Sequence, residues 1–214
     1  MKTTFPIKSF LDLPIIGILR GVGPAETKGI LRAYGAAGLK FIEITLNTPR
    51  AFELIKEHSG AGGTELCIGA GTVCNPGQLE MAIEAGARFI VTPILDIPII
   101  KRCKELGIPV FPGAYSPTEV YRAWEAGATM VKVFPAAHLG PDYIRQLKAP
   151  LDQIKLMPTG GVGLHNMEEY LQAGADGFGL GSALFPSGLL QAGDWVALQR
   201  HIEQYVAFWK HKYR

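Results

Sequence analysis

Apolar residues recur along this chain in two alternating patterns. Short apolar runs lie at Ile15–Leu19, Phe41–Leu46, Glu65–Ala70, Phe89–Thr92, Pro109–Phe111, Met130–Phe134, Lys155–Met157 and Gly177–Leu180. Runs of this kind, bounded by Gly, Pro or polar residues, predict buried strands. Their starts are spaced by about one strand plus one helix. Amphipathic segments fill the gaps: "PAETKGILRAYGAA", "NPGQLEMAIEAG", "SPTEVYRAWEAG" and "LHNMEEYLQAG". In the last three, a small or polar residue ahead of the apolar stripe predicts an N-cap.

A weak internal repeat punctuates the pattern. "AGLKF" (Ala37–Phe41), "AGARF" (Ala85–Phe89), "AGATM" (Ala126–Met130) and "AGADG" (Ala173–Gly177) each follow a helix-like segment and lead into an apolar run. Glycine there predicts a left-handed helix terminus, after which a strand starts at once. Eight strand–helix units without a composition break predict an α/β fold, a (β/α)8 barrel built as one domain over residues 1–214. A doubly wound open sheet is the competing reading; it has fewer strands, and no GxGxxG opens the first helix. "MKTTFPIKSFLDLP" is expected to cap the barrel floor as a short helix. "DWVALQRHIEQYVAFWKHKYR" is expected to be an amphipathic helix packing Trp195, Leu198, Ile202, Tyr205 and Trp209.

Composition narrows the class. Hydrophobic residues make up 48% and charged residues 19% of 214, which describes a core-forming chain. The net charge is +2 with no Lys/Arg run, so nucleic acid is not an expected partner. The three cysteines, Cys67, Cys74 and Cys103, form no CxxC pair and suggest a reducing compartment. No signal-peptide core and no membrane-length apolar run occur, so a cytoplasmic protein with no membrane partner is expected.

Polar residues inside apolar strands carry the candidate chemistry. In "FIEITL", Ile42, Ile44 and Leu46 share one face, so Glu43 and Thr45 point into the barrel. In "MVKVF" the same alternation aims Lys132 inward. Second and sixth strands contribute to the same layers from opposite sides, which sets Lys132 and Glu43 face to face. One reading is a structural salt bridge, a poor stabiliser once desolvation is counted. The other is catalytic. An apolar pocket lowers a lysine pKa, a neutral amine attacks carbonyls, and a nearby carboxylate moves protons. "GAGTV" ends the third strand, where Thr72 either helps hold a carboxylate or follows a tight Gly turn. "PTGGVGLHNM" and "GLGSAL" follow strands seven and eight, where barrels often hold phosphate. Thr159, Gly160, Gly161, Gly181 and Ser182 are the candidate anion ligands. Arg20 in "GILRG" either makes a surface salt bridge or binds an acidic substrate group. The histidines His58, His138, His165, His201 and His211 form no HxH or HExxH arrangement and read mainly as solvated; only His138 and His165 fall on top-face loops.

Taken together, "GILRG", "FIEITLNTP", "IGAGTV", "FIVTP", "FPGAYSPTE", "VKVFPA", "LMPTGGV" and "GLGSAL" resemble the 2-keto-3-deoxy-6-phosphogluconate / 4-hydroxy-2-oxoglutarate aldolases, over about residues 15 to 185. The resemblance implies a homotrimeric barrel and a metal-independent class I aldolase with no cofactor. It implies cleavage of a phosphorylated keto acid to pyruvate and glyceraldehyde 3-phosphate. By motif, Lys132 matches the Schiff-base lysine and Glu43 the general acid/base. Thr72 matches a pyruvate-carboxylate ligand and Arg20 a substrate-binding arginine. Gly160, Gly161, Gly181 and Ser182 match the phosphate site. Asn47 stands where many members have Arg, and the phosphogalactonate-specific relatives carry a similar "LNSP". Ile94 and Tyr115 also depart from the pattern and are expected to reshape the pocket for the aldehyde half. Competing readings are another barrel enzyme acting on a phosphorylated substrate and a non-catalytic sugar-phosphate sensor.

Overall fold

The structure is a computed structural model that describes residues 5–59 and 66–212. Glu65, which opens the third expected strand, and the first four residues of the capping segment lie outside the described residues.

Among the described residues nine strands form: β1 Ile15–Leu19, β2 Phe41–Thr45, β3 Cys67–Gly71, β4 Ile90–Val91, β5 Val110–Phe111, β6 Gly113–Ala114, β7 Val131–Val133, β8 Leu156–Pro158 and β9 Phe178–Leu180. Ten helices accompany them: α1 Ile7–Asp12, α2 Pro24–Ala36, α3 Ala51–Ser59, α4 Pro76–Glu84, α5 Ile97–Leu106, α6 Pro117–Ala126, α7 Gly140–Lys148, α8 Met167–Gln172, α9 Ser187–Ala192 and α10 Trp195–Lys212. The fold is α/β, with every strand pairing parallel. One sheet has the order β5-β4-β3-β2-β1-β9 and the other β6-β7-β8. An isolated parallel bridge, Thr159 to Gly179, runs from the end of β8 to β9. The expected fifth strand, Pro109–Phe111, forms as β5, and the chain adds a second short strand, β6, after Pro112. The two face different neighbours: Thr92 N–H donates to Phe111 O on one side, and Lys132 N–H donates to Pro112 O on the other.

Every strand residue is buried, as parallel strands covered on both faces require. Alternation then sorts side chains into two cores. Ile42 and Ile44 of β2, with Val131 and Val133 of β7, join the larger cluster against the helices. Ile16, Phe41, Cys67, Val91, Phe111, Met130 and Met157 form a second cluster from the opposite strand faces. Phe5 and Phe10 of the N-terminal segment close it, Phe10 packing edge-on against Phe41 at 5.1 Å. Glu43 and Lys132 lie on the same faces as Phe41 and Met130, one residue pair further toward the C-terminal ends.

The Ala-Gly repeat behaves as its sequence predicts. Gly38, Gly86, Gly127 and Gly174 all have positive φ, between 96° and 112°. Two of the three N-caps form: Asn75 Oδ1 accepts from Gln78 N–H, and Ser116 makes a capping box with Glu119. The third does not, because the Asn166 side chain is spent on the loop before it. Its Oδ1 accepts from Gly163 N–H and its Nδ2 donates to Gly161 O. Along α10, Leu198, Ile202, Tyr205, Val206 and Trp209 are buried and Trp195 is partly so. Trp209 Nε1 donates to Asp12 O at 2.9 Å, tying this helix to the end of α1.

Candidate active site

A cavity of about 650 Å³ opens at the C-terminal ends of β1, β7, β8 and β9. It gathers Arg20, Lys132, Thr159, Gly160, Gly161, Gly181 and Ser182, which lie far apart in sequence. No Asp or Glu lines it, so an anionic ligand meets no competing carboxylate at its wall.

Lys132 sits at the floor. It is 3% exposed, held between β6 and β8 in register with Gly113 and Met157. Its Nζ lies 5.0 Å from the centre of the Phe134 ring. Burial holds its ammonium below the usual lysine range; the Glu43 charge pulls the other way and Arg20 reinforces burial. The amine is thereby biased toward its neutral, nucleophilic form.

Glu43 is 1% exposed, between Ile18 of β1 and Gly69 of β3. Burial pushes its carboxyl above the usual carboxylate range, with the charges of Lys132 and Arg20 acting against that. Among the described residues neither carboxylate oxygen has a hydrogen-bond partner. No ion pair within 4.0 Å joins it to Lys132, so the salt-bridge reading of this pair does not hold. Its space exists only because residue 71 has no side chain. A Cβ on Gly71 would lie 2.3 Å from Glu43 Oε1.

Arg20 makes no ion pair among the described residues; it is exposed at the cavity mouth, which removes the surface salt-bridge reading. Both of its neighbours are held from the end of β2 and the turn that follows it. Thr45 Oγ1 donates to Leu19 O at 3.3 Å, and Gly21 N–H donates to Thr48 Oγ1 at 3.0 Å. The two hydroxyls meet at 3.1 Å.

Thr159 is buried, with its hydroxyl donating to Met157 O and packing over Gly179. Gly160 and Gly161 follow at φ 88° and 74°. A Cβ at Gly161 would come 2.5 Å from the Cβ of Ala137, so glycine is required there twice over. Thr72 is half-buried at φ 59°, a rare conformation for a β-branched residue, just after Gly71. It and Glu43 are not among the residues lining the cavity. Asn47, Ile94 and Tyr115 are exposed and do not line it either.

Sequence reasoning missed several wall residues. Phe134 shares the parity of Lys132, which could have marked it. Phe185 and Ser187 belong to the segment after β9, for which no pattern gave a signal. The histidines are less uniformly solvated than expected: His58 is buried, His201 bonds Ala183 O at 2.8 Å, and His165 lines the cavity. Among the described residues no helix is long and apolar enough to cross a membrane.

The model of the KDPG and KHG aldolase family matches residues 7–201. The chain is 38% identical to 2-dehydro-3-deoxy-6-phosphogalactonate aldolase of Escherichia coli K12, over 92% of this chain and 94% of that protein. It is 36% identical to 2-dehydro-3-deoxy-phosphogluconate aldolase of Haemophilus influenzae, over 94% of each. Its fold superposes with a TM-score of 0.85 and 28% identity on KDPG aldolase from Legionella pneumophila with pyruvate captured as a covalent carbinolamine, covering 94% of this chain and 98% of that one. A floor lysine biased toward the neutral amine, a buried carboxylate beside it and these matches over nearly the whole length agree: the chain belongs to the KDPG and KHG aldolase family.

Proposed function

We propose that this protein cleaves a 2-keto-3-deoxy-6-phospho sugar acid to pyruvate and glyceraldehyde 3-phosphate through a Schiff base on Lys132. One observation carries the assignment: the Glu43 carboxylate is buried beside Lys132 with neither oxygen partnered by the protein. Such a group is costly unless it serves a reactant.

In this reading Lys132 Nζ attacks the C2 ketone and, with loss of water, becomes a protonated imine. The imine draws the electron pair of the C3–C4 bond. Glu43, through a water, takes the C4 hydroxyl proton, the bond breaks and the aldehyde departs. The remaining enamine is protonated at C3, and water releases pyruvate from Lys132. Arg20 and Thr72 hold carboxylate or hydroxyl groups of the substrate. Gly160, Gly161, Gly181 and Ser182, with Thr159 beneath them, hold the phosphate.

The two sheets join into one eight-stranded barrel in a single domain. The Thr159–Gly179 bridge supports closure on one side. The bonds from Thr129 N–H to Val110 O and from Lys132 N–H to Pro112 O support it on the other. A homotrimer is what the resemblance implies, and the free thiols of Cys67, Cys74 and Cys103 suit a reducing compartment such as the cytoplasm. Borohydride reduction in the presence of pyruvate tests the chemistry. Mass spectrometry should locate one reduced pyruvyl group on Lys132; an unmodified Lys132 would end the proposal.

The C4 epimer, the phosphogalactonate-derived acid, is the second reading. Asn47, where many family members carry Arg, and the similarity to the Escherichia coli phosphogalactonate enzyme favour it. Pyruvate release from the two epimers, compared as kcat/KM, decides between them.

A further inference from the structure

The cavity wall contains one histidine that the proposed reaction does not use. His165 lines the cavity beside Gly160, Gly161 and Ser182. It is the central residue of a loop held unusually firmly. Asn166 N–H donates to Gly163 O at 3.1 Å and closes a turn around His165. The Asn166 side chain then ties that turn to Gly163 N–H at 3.0 Å and to Gly161 O at 2.9 Å. His165 is thus fixed to the same loop that presents the glycine N–H groups.

The ring stands beside Gly163, which also faces the segment after Ser182. A Cβ built on Gly163 would sit 3.1 Å from His165 Nδ1 and 3.2 Å from the Cβ of Ala183, the residue after Ser182. Neither ring nitrogen has a hydrogen-bond partner in the protein among the described residues. The other nitrogen-bearing side chains of the cavity have different tasks in the proposed reaction: Lys132 forms the imine and Arg20 serves an acidic or hydroxyl group. No carboxylate on the cavity wall competes for the imidazole.

We propose that His165 is a phosphate-binding residue of this chain, donating from its ring to the phosphate monoester held by the Gly160–Gly161 and Gly181–Ser182 loops. The claim rests on the aldolase reading for its substrate, and adds a side-chain donor to a site otherwise made of backbone and hydroxyl groups. Such a donor discriminates: it strengthens binding of phosphorylated acids and does nothing for unphosphorylated ones.

The test is His165→Phe, which keeps a ring at an exposed position and removes both nitrogens. Titration of inorganic phosphate into the wild type and the variant, followed by calorimetry, should give a Kd about ten-fold weaker in the variant. In steady-state kinetics KM for the phosphorylated keto acid should rise by about ten-fold with kcat within about two-fold, and KM for its unphosphorylated analogue should not move. Equal phosphate affinity in the two proteins overturns the proposal, as does an equal KM change for both substrates. If the wild type turns over neither acid, the aldolase reading fails, and the phosphate titration still decides the role of His165.

Discussion

Replacing Gly71 by alanine would separate the two halves of the proposed mechanism. The new Cβ would stand 2.3 Å from Glu43 Oε1 and 2.5 Å from its Cδ, where ordinary contact begins at 3.4 Å. The carboxylate must therefore retreat by about 1 Å, a displacement of the size that costs about 100-fold in rate when it moves a catalytic group. In barrier terms that is about 2.7 kcal/mol. Backbone strain contributes nothing, because Gly71 is not among the positive-φ residues. Overpacking between β2 and β3 should lower stability by about 1–3 kcal/mol, leaving a folded protein. The nearest neighbours of the new Cβ are all atoms of Glu43, so Lys132 keeps its place. The expected result is a kcat lower by about two orders of magnitude in pyruvate release, with borohydride and pyruvate still adding one reduced pyruvyl group to Lys132 at the endpoint. A folded Gly71→Ala protein with wild-type kcat would refute the assignment of proton transfer to Glu43 in this position.

Glu43→Gln removes the charge that pulls Lys132 back toward the usual lysine range. Site-resolved amine labelling of Lys132 against pH should therefore shift to lower pH in the variant; a shift upward contradicts the coupling. For the wild type, Glu43 must be ionised to accept a proton, and burial raises its pKa above the ordinary 4.5, so the acid limb of kcat should lie above pH 4.5. A limb at or below that value, read from a pH–rate profile, would deny the shift. Thr48→Val deletes the acceptor of Gly21 N–H and loosens the turn that carries Arg20; KM should rise several-fold with kcat nearly unchanged, and an unaltered KM would count against that role. Tyr34→Phe strips a fully buried hydroxyl that accepts from Gly17 N–H at 3.0 Å and donates to Phe41 O at 2.5 Å. Stability in urea should fall by about 1–3 kcal/mol while kcat/KM stays at the wild-type value, and loss of activity without loss of stability would be inconsistent with a purely structural hydroxyl.

Much of the site can be read in the sequence because alternation is a local rule. A strand's side chains change face at every residue, so Glu43 among Ile42 and Ile44, or Lys132 between Val131 and Val133, must point away from the apolar side. Helix ends are legible for the same reason. The four repeated glycines close helices through their own backbone freedom, and Asn75 and Ser116 cap through bonds three residues long. Asn166 marks the limit of that rule: its side chain had a competing use in the preceding loop, visible only once that loop was placed.

What the tertiary structure alone decided is which distant groups share a space and how much space is left. It brought Arg20, Lys132, Gly160 and Ser182 to one cavity and left both oxygens of Glu43 without a protein partner. It turned Gly71 from one glycine of a turn motif into the gap that accommodates a carboxylate. It also brought His165 to the cavity wall with Gly161 and Ala183, and kept Tyr115 and Ile94 out of that wall. Sequence periodicity fixes the direction of a side chain because direction depends on the residue's own backbone. Contact, burial and pKa depend on atoms contributed by strands and loops far along the chain, and those are set only when the sheets pack.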